Sequence, residues 1–250
     1  MKLAEQTAAK IELAIIEQGW PLGSVLGSEA DLLAEYRVSR AVLREAVRLL
    51  EHDNVAHMRR GPGGGLVVAE PDTAAVTRAA TLYLRYRNVS PGQLFAARIA
   101  VELAAARATT ENIDESGIAL LRETLDREAA AGQQPDVTSH DFHIVVAEIS
   151  GNPAVELLTD VVTKLSAAAF VGSAALLDRT ATRPAPSPVL LDVHSVHMRI
   201  AEAIIAGDVG LAQHRMTRHL EAIAAAGGRS AAAAADEPPA SRPPRRRRRR

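Results

Sequence analysis

The chain has 250 residues, a formal net charge of −1 and no cysteine. This length accommodates two modest domains, and the lack of cysteine excludes both a disulfide framework and a thiolate metal site. No segment is apolar over the length needed to cross a membrane, and the N-terminus lacks a signal-peptide pattern. We therefore expect a cytoplasmic protein without a membrane partner.

Three helices are predicted at the N-terminal end, and the first covers residues 3–19. Ser28, followed three residues later by Asp31, is typical of a capping box that begins the second helix. Ser39 can cap the third, which carries an apolar stripe on one face and regularly spaced arginines on another. These are Arg40, Arg44 and Arg48. Arginines in this pattern suit docking in the DNA major groove, although the spacing alone fits a solvated amphipathic helix equally well.

A predicted β-hairpin follows, with strands over 55–60 and 66–69 around a glycine-rich turn. Arg59 and Arg60 at its base favour a wing that lies on the sugar–phosphate backbone of DNA. A phosphate cradle for a nucleotide is the competing interpretation. Its spacing is wrong, because no Gly-Lys-Ser/Thr follows and the loop leads into a strand rather than a helix.

A resemblance to the winged helix-turn-helix head of the GntR family of bacterial transcription regulators is carried by LGSEADLLAEYRVSRAVLREAVRLLE and RRGPGGGLVV. The matching elements are Ser28-Glu29, Val38-Ser39-Arg40, Arg44-Glu45-Ala46, and Gly65 with Val67. Ala30 departs from the pattern where many relatives carry a DNA-contacting arginine, and Ala41 and Val42 stand where small polar residues are common. The resemblance implies a double-stranded DNA operator, with apolar contacts to thymine methyl groups partly replacing hydrogen bonds.

The expected operator contacts come from the recognition helix, the preceding helix start and the wing. They are Ser28, Ser39, Arg40, Ala41, Arg44, Arg48, Arg59, Arg60, Gly61 and Gly63. Arg40 and Arg44 are expected to contact bases. The other arginines and the wing glycines are expected to position the backbone.

From residue 73 onward the sequence predicts successive helices and no strand. Proline, glycine, asparagine and aspartate divide this region into seven helices. They are predicted over 74–88, 92–110, 114–131, 136–150, 153–178, 188–206 and 208–226. No fixed period recurs, so the fold class is mainly α: a winged helix-turn-helix domain over 1–70, then an all-α bundle of about seven helices over 73–227.

The last residues, 228–250, are predicted to be a disordered arginine-rich tail. Residues 229–250 hold eight arginines against two acidic residues, a net charge of +6 that leaves −7 on the rest of the chain. An acidic body with a basic helix and wing fits a protein that grips DNA through one face. The tail either adds salt-dependent nonspecific phosphate affinity or is simply solvated.

The second domain resembles the FCD ligand-binding domain of the FadR-like branch of the same family. The resemblance, which with the head spans residues 8–226, is carried by Arg98 and Glu102 in one helix, by HDFHIVVAEISGNP, and by HMRIAEAIIAGDVGLAQHRMTRHL. In that family an aspartate and three histidines bind a divalent metal. The histidines map to His143, His197 and His219, and the aspartate position holds Ser139.

Three imidazoles still suit zinc or nickel, but the loss of the carboxylate at Ser139 weakens the site. Asp141 is expected on a different face of its helix. Two alternatives remain open: a metal-free polar pocket and satisfied core histidines. Arg98 needs a partner, either a carboxylate on an effector or Glu102 one turn along the helix. The predicted effector-binding residues are Arg98, Ser139, His143, Asn152, His197 and His219.

These features together predict a homodimeric transcription regulator, a repressor that a small organic acid releases from its operator. The effector is expected to be a carboxylate or an acyl compound. The alternative is a DNA-binding dimer whose helical domain is structural and binds no effector. No enzymatic activity is expected, since His194 and His197 lack the spacing and intervening glutamate of a zinc-protease helix and no nucleophile motif occurs.

Overall fold

The computed structural model describes residues 2–131, 138–171 and 193–235, with the side chains of 131, 138–140, 168–171 and 227–235 left out. The chain divides into two compact units between Val76 and Thr77. The first contains α1 (Leu3–Glu17), α2 (Glu29–Tyr36), α3 (Arg40–His52), β1 (Ala56–Arg59) and β2 (Gly65–Val68). The next helices are α4 (Ala74–Tyr86), α5 (Pro91–Asn112), α6 (Glu115–Ala131) and α7 (Thr138–Ile149). The last are α8 (Pro153–Val171), α9 (Val193–Ile205) and α10 (Val209–Ala235).

The helix-turn-helix is held by the predicted caps. Ser28 and Asp31 form both halves of the capping box of α2, with Ser28 N–H donating to Asp31 Oδ2 at 2.9 Å. Ser39 Oγ accepts a hydrogen bond from Val42 N–H at 3.3 Å and begins α3. Between the two helices Arg37 adopts a left-handed conformation with φ of 51°. The apolar stripe of α3 is buried against α1 and α2, as its helical spacing predicts.

Strands β1 and β2 form the predicted hairpin, paired antiparallel with Ala56 opposite Val68 and Arg59 opposite Gly65. Gly65 cannot be replaced without strain. Its φ is 156°, and a Cβ there would lie 2.4 Å from the carbonyl oxygen of Gly27. A glycine at this position lets the second strand approach the loop before α2 closely.

In the second unit α5 is the central helix, packing against α7, α8, α9 and α10. Buried apolar side chains from α6, α7, α9 and α10 close the core around it. The largest are Leu121, Phe142, Ile200, Ile204, Met216 and Leu220. The mainly α fold is therefore confirmed. None of the described helices is long and apolar enough to cross a membrane.

Most predicted helix ends lie within two residues of those in the structure, and two of the differences have a clear physical cause. Helix α1 ends at Glu17, before the predicted end at residue 19, because Gly19 and Trp20 both adopt positive φ angles. Helix α10 continues to Ala235, past the predicted end at 226 and into the segment predicted to be disordered. The run of alanines there has the highest intrinsic helix propensity. The rest of the predicted tail, 236–250, and residues 172–192 lie outside the described part.

Candidate nucleic-acid interface and metal centre

The exposed face of α3 presents Arg40 and Arg44, and neither guanidinium forms an ion pair with another described residue. Arg48 pairs with Glu45 at 3.1 Å, but both side chains are more than half exposed, so the pair is weak. The N–H groups of Arg40 and Ala41 lie at the helix start, where an α-helix supplies no partner within itself. Helix α3 thus offers two free cations and a helix N-terminus on one surface, which together suit a phosphate-bearing partner.

In the wing, Arg59 is not free. Its guanidinium donates a hydrogen bond to the carbonyl oxygen of Gly63 at 3.0 Å and braces the turn. Arg60 is exposed beside it, and Gly61 and Gly63 form an open tip with positive φ angles. The sequence analysis did not single out Arg37, which is exposed in the turn that precedes α3.

The second candidate site is a cluster of three buried histidines, each from a different helix. His143 lies on α7, His197 on α9 and His219 on α10. The Nε2 atom of His219 lies 3.0 Å from that of His197 and 3.3 Å from that of His143. The predicted set of three histidines is therefore brought together by the fold.

Two buried carboxylates hold the opposite ring nitrogens of this cluster. Glu102 Oε2 lies 2.5 Å from Nδ1 of His143, and Glu128 Oε1 lies 2.9 Å from Nδ1 of His197. Each imidazole therefore donates its Nδ1–H outward and directs Nε2 toward the centre. This carboxylate–histidine arrangement is typical of metal-binding histidines in proteins.

Arg98 finds its partner within its own helix. Its Nε donates to Glu102 Oε1 at 2.5 Å, and both side chains are buried. Of the two partners that the sequence left open for Arg98, the structure shows the Glu102 ion pair. Glu102 consequently links Arg98 to His143, a contact that the sequence analysis did not predict.

The electrostatics keep His143 and His219 uncharged. Burial raises the pKa of Glu102, but the nearby His143 and Arg98 outweigh this and lower it to about 2. Burial lowers the pKa of His143 to about 4 despite the opposing charge of Glu102. Burial, followed by the neighbouring His143 and His197, lowers the pKa of His219 far below its usual range. Neutral imidazole is the form that binds metal.

The spacing of the cluster fits a metal ion. Imidazole nitrogens about 2.0–2.1 Å from a tetrahedral zinc ion lie about 3.3–3.4 Å from one another. The separation of 3.3 Å matches this spacing and that of 3.0 Å is slightly shorter, and the ligand atoms of all three residues lie within 4.8 Å of one another. Among the described side chains the cluster therefore has the donor types and spacing for zinc or nickel.

Two further predicted effector residues are Ser139 and Asn152. The side chain of Ser139 lies outside the described residues. Asn152 is exposed and caps α8, its Oδ1 accepting a hydrogen bond from Ala154 N–H at 3.0 Å. Asp141 lies 3.7 Å from Arg127, in agreement with its expected position on another face of α7.

Glu128 was missed by the sequence analysis, although a local signal exists. Leu121, Leu125 and Glu128 recur at helical spacing on α6, and all three are buried. An acidic residue within an apolar stripe requires a buried partner. Helical periodicity alone, however, does not identify His197 as that partner.

A winged helix-turn-helix with free arginines, followed by a helical domain built around a polar centre, defines a DNA-binding regulator with a ligand-binding domain. Residues 3–67 match the family described as bacterial regulatory proteins, gntR family, and residues 93–222 match the FCD domain. The chain belongs to the GntR family of transcription regulators and carries an FCD domain. The predicted family is confirmed, and this family consists of regulators rather than enzymes.

Curated relatives cover 90% of this chain. The HTH-type transcriptional repressor NanR of Escherichia coli (strain K12) is 28% identical over 238 residues, covering 90% of this chain and 84% of the relative. NanR of Cronobacter sakazakii is 27% identical over 237 residues. Among solved structures, Streptococcus agalactiae GntR covers 89% of this chain and 99% of its own, with a TM-score of 0.65 and 22% identity. That structural likeness supports the fold.

Proposed function

We propose that this protein is a repressor that binds a pseudo-palindromic operator as a homodimer and is released when a small organic acid binds its FCD domain. The observation that carries the DNA-binding part is the exposed face of α3, where Arg40 and Arg44 have no ion pair with a described residue. The relatives named as transcriptional repressors support the sign of regulation. A protein with this role would act in the cytoplasm, where bacterial DNA lies.

Base recognition is assigned to Arg40 and Arg44, and Ala41 is suited to contact a thymine methyl group. Backbone positioning is assigned to residues that border this face or form the wing. They are Ser28, Ser39, Arg48, Arg59, Arg60, Gly61 and Gly63. The hydroxyls of Ser28 and Ser39 already cap α2 and α3, so their role is to orient these helices and their N-terminal N–H groups.

Dimerisation is supported by an exposed apolar surface on α4. Leu82, Tyr83 and Tyr86 are each more than half exposed along this helix. Contiguous apolar side chains of this kind mark association surfaces more often than free surface. Light scattering on the purified protein should give a dimer mass, and Leu82→Glu with Tyr86→Glu should shift it toward the monomer.

In the FCD domain, His143, His197 and His219 are assigned as ligands of a divalent metal. A bound ion would offer an effector carboxylate an electrophilic partner with open coordination positions. Two carboxylates orient the imidazole rings: Glu102 holds Nδ1 of His143, and Glu128 holds Nδ1 of His197. His143 itself and then Arg98 lower the pKa of Glu102, which keeps this carboxylate ionised as the acceptor for His143. Ser139 and Asn152 remain proposed effector contacts.

One observation favours the alternative of a purely structural helical domain. Each histidine of the cluster already has a hydrogen-bonding neighbour, so the cluster is satisfied without a ligand. In that case neither metal nor acid would alter operator affinity. A change of operator affinity on adding metal or acid therefore distinguishes an effector-responsive repressor from a DNA-binding protein with a structural helical domain.

The test begins by selecting bound sequences from random double-stranded DNA and measuring operator affinity by fluorescence anisotropy. Arg40→Ala should weaken specific binding by about 1–3 kcal/mol and relax the sequence preference. Arg122→Ala, an exposed arginine on α6, is the matched control and should bind normally. Unchanged affinity for Arg40→Ala would refute the assigned recognition helix.

The effector half is tested by elemental mass spectrometry and by adding carboxylates to the operator complex. We expect about one zinc or nickel per chain, removed by a chelator, and weaker operator binding with a carboxylate present. Metal content that stays the same in His143→Ala with His219→Ala would refute the metal site. An operator affinity that no acid changes would instead support the structural alternative.

A further inference from the structure

A groove of about 400 Å³ runs between α9 and α10. Its lining residues are Val193, Val196 and Arg199 from α9, and His214, Arg215, Arg218, His219 and Ala222 from α10. Their spacing of three and four residues places each set on one face of its helix. The groove therefore lies between one face of α9 and one face of α10.

The groove is cationic. Among the described residues that line it, three are arginines, two are histidines and none is acidic. Arg215 is fixed across the groove, because its Nη1 donates to the carbonyl oxygen of Arg199 and lies 3.6 Å from Glu202. Arg218 pairs with Glu221 at 3.1 Å, but both side chains are at least half exposed, which makes that pair easy to exchange.

Arg199 is the most available cation of the groove. Its side chain is exposed and forms no ion pair with another described residue. A guanidinium binds a carboxylate through two parallel hydrogen bonds, which makes arginine the preferred residue for this anion. The neighbouring Val193, Val196 and Ala222 provide an apolar wall for the carbon skeleton of such a ligand.

The groove also reaches the histidine cluster. His219 lines it, and the Nε2 atom of the same residue lies 3.0 Å from that of His197. A ligand in the groove therefore contacts one residue of the histidine cluster, His219, as well as the arginine side chains. An acid with a single carboxylate can bind either the histidine cluster or the arginines, but not both.

We propose that this groove is a specificity subsite for dicarboxylic acids, with one carboxylate directed to the histidine cluster and the other bound by Arg199 and Arg218. This inference rests on the proposed function, since it takes an organic acid as the effector. It adds that the effector carries two anionic groups joined by an apolar chain, and that α9 and α10 select it.

The test measures binding to the full-length, zinc-loaded protein by isothermal titration calorimetry. The probes are succinate, glutarate and adipate, with butyrate as the monocarboxylate and succinamide as the uncharged analogue. We expect at least one dicarboxylate to bind about 10-fold or more tighter than butyrate, as the gain of one charge-assisted contact implies. Succinamide should not bind.

The Arg199→Ala, Arg218→Ala double variant should bind the preferred dicarboxylate no more tightly than it binds butyrate. Its zinc content, operator affinity and affinity for butyrate should be those of the wild type. Arg122→Ala, which removes an exposed arginine from α6 outside the groove, should retain the full dicarboxylate preference.

Two results would overturn the subsite, and they are distinguishable from each other. Equal dicarboxylate affinity in the wild type and the double variant would remove the arginine subsite and leave an organic acid as the effector. If no carboxylate binds the wild type while operator binding is intact, both the subsite and the acid-released repressor are refuted.

Discussion

Removing the carboxylate of Glu128 tests whether this buried residue positions a metal ligand. Both of its oxygens face Nδ1 of His197, at 2.9 and 3.1 Å, and the imidazole is fully buried. Glu128→Ala leaves the Nδ1–H donor of His197 without its partner. A lost outer-shell partner of a metal-bound histidine typically weakens metal affinity by 10- to 100-fold, about 1.4–2.7 kcal/mol.

The charge and the hydrogen bond can be separated by a conservative change. Glu128→Gln keeps an acceptor oxygen for His197 but removes the negative charge, so its loss of zinc affinity should be smaller than that of Glu128→Ala. Glu123→Ala, an exposed carboxylate on the same helix, is the matched control and should bind zinc normally. Zinc dissociation constants are measured by competition with a chelating dye.

Stability must be followed alongside affinity, because an unsatisfied buried donor costs about 1–3 kcal/mol without any metal. Thermal unfolding of the metal-free variants gives this structural contribution separately. A Glu128→Ala protein that folds and binds zinc within two-fold of the wild type would refute the positioning role. A loss of stability without loss of zinc affinity would assign Glu128 to packing alone.

Three further predictions concern the wing, acid stability and the metal. Gly65→Ala should destabilise the first unit by about 1–3 kcal/mol and weaken DNA binding, because the added Cβ would clash with the carbonyl oxygen of Gly27. Urea unfolding measures the loss of stability. The metal-free protein should lose stability as pH falls from about 6.5 to 4, where the unfolded chain protonates His143 and the folded one does not, and further as pH falls from about 4.5 toward 2 through Glu102. His143→Gln should reduce the stability lost over the first part of that pH profile, to which His219 also contributes; an unchanged profile would contradict the assignment. Chelation should lower the melting temperature of the wild type and leave that of His219→Ala unchanged in differential scanning calorimetry.

The elements of the head could be predicted because their signals are local. Ser28 and Ser39 each accept a hydrogen bond from the N–H group three positions later in the chain. The apolar stripe of α3 likewise repeats within one helix. The predicted end of α10 at residue 226 was wrong, because two local signals disagree there. The segment from residue 228 was predicted to be disordered from its low-complexity composition, whereas its alanines favour continuing the helix.

The candidate metal centre shows the limit of local reasoning. The three histidines came from a resemblance to a family, not from a spacing rule. Their outer partners are set by tertiary packing: Glu102 lies 41 positions from His143, and Glu128 lies 69 positions from His197. Helical periodicity places both acids on buried faces, but only the packing of α5, α6, α7 and α9 decides which histidine each one meets.

The proposed ligands on α7, α9 and α10 include a pair, His143 and His219, that lie 76 positions apart in the chain. An ion held by them acts as a cross-link between distant segments that exists only in the folded state. At a free concentration 1,000 times its dissociation constant, such an ion adds about 4 kcal/mol to stability. Cellular metal supply would then set the lifetime of the regulator itself, because a metal-starved chain unfolds more often and is degraded sooner. Scarcity of the ion would derepress the target genes even when no effector is present.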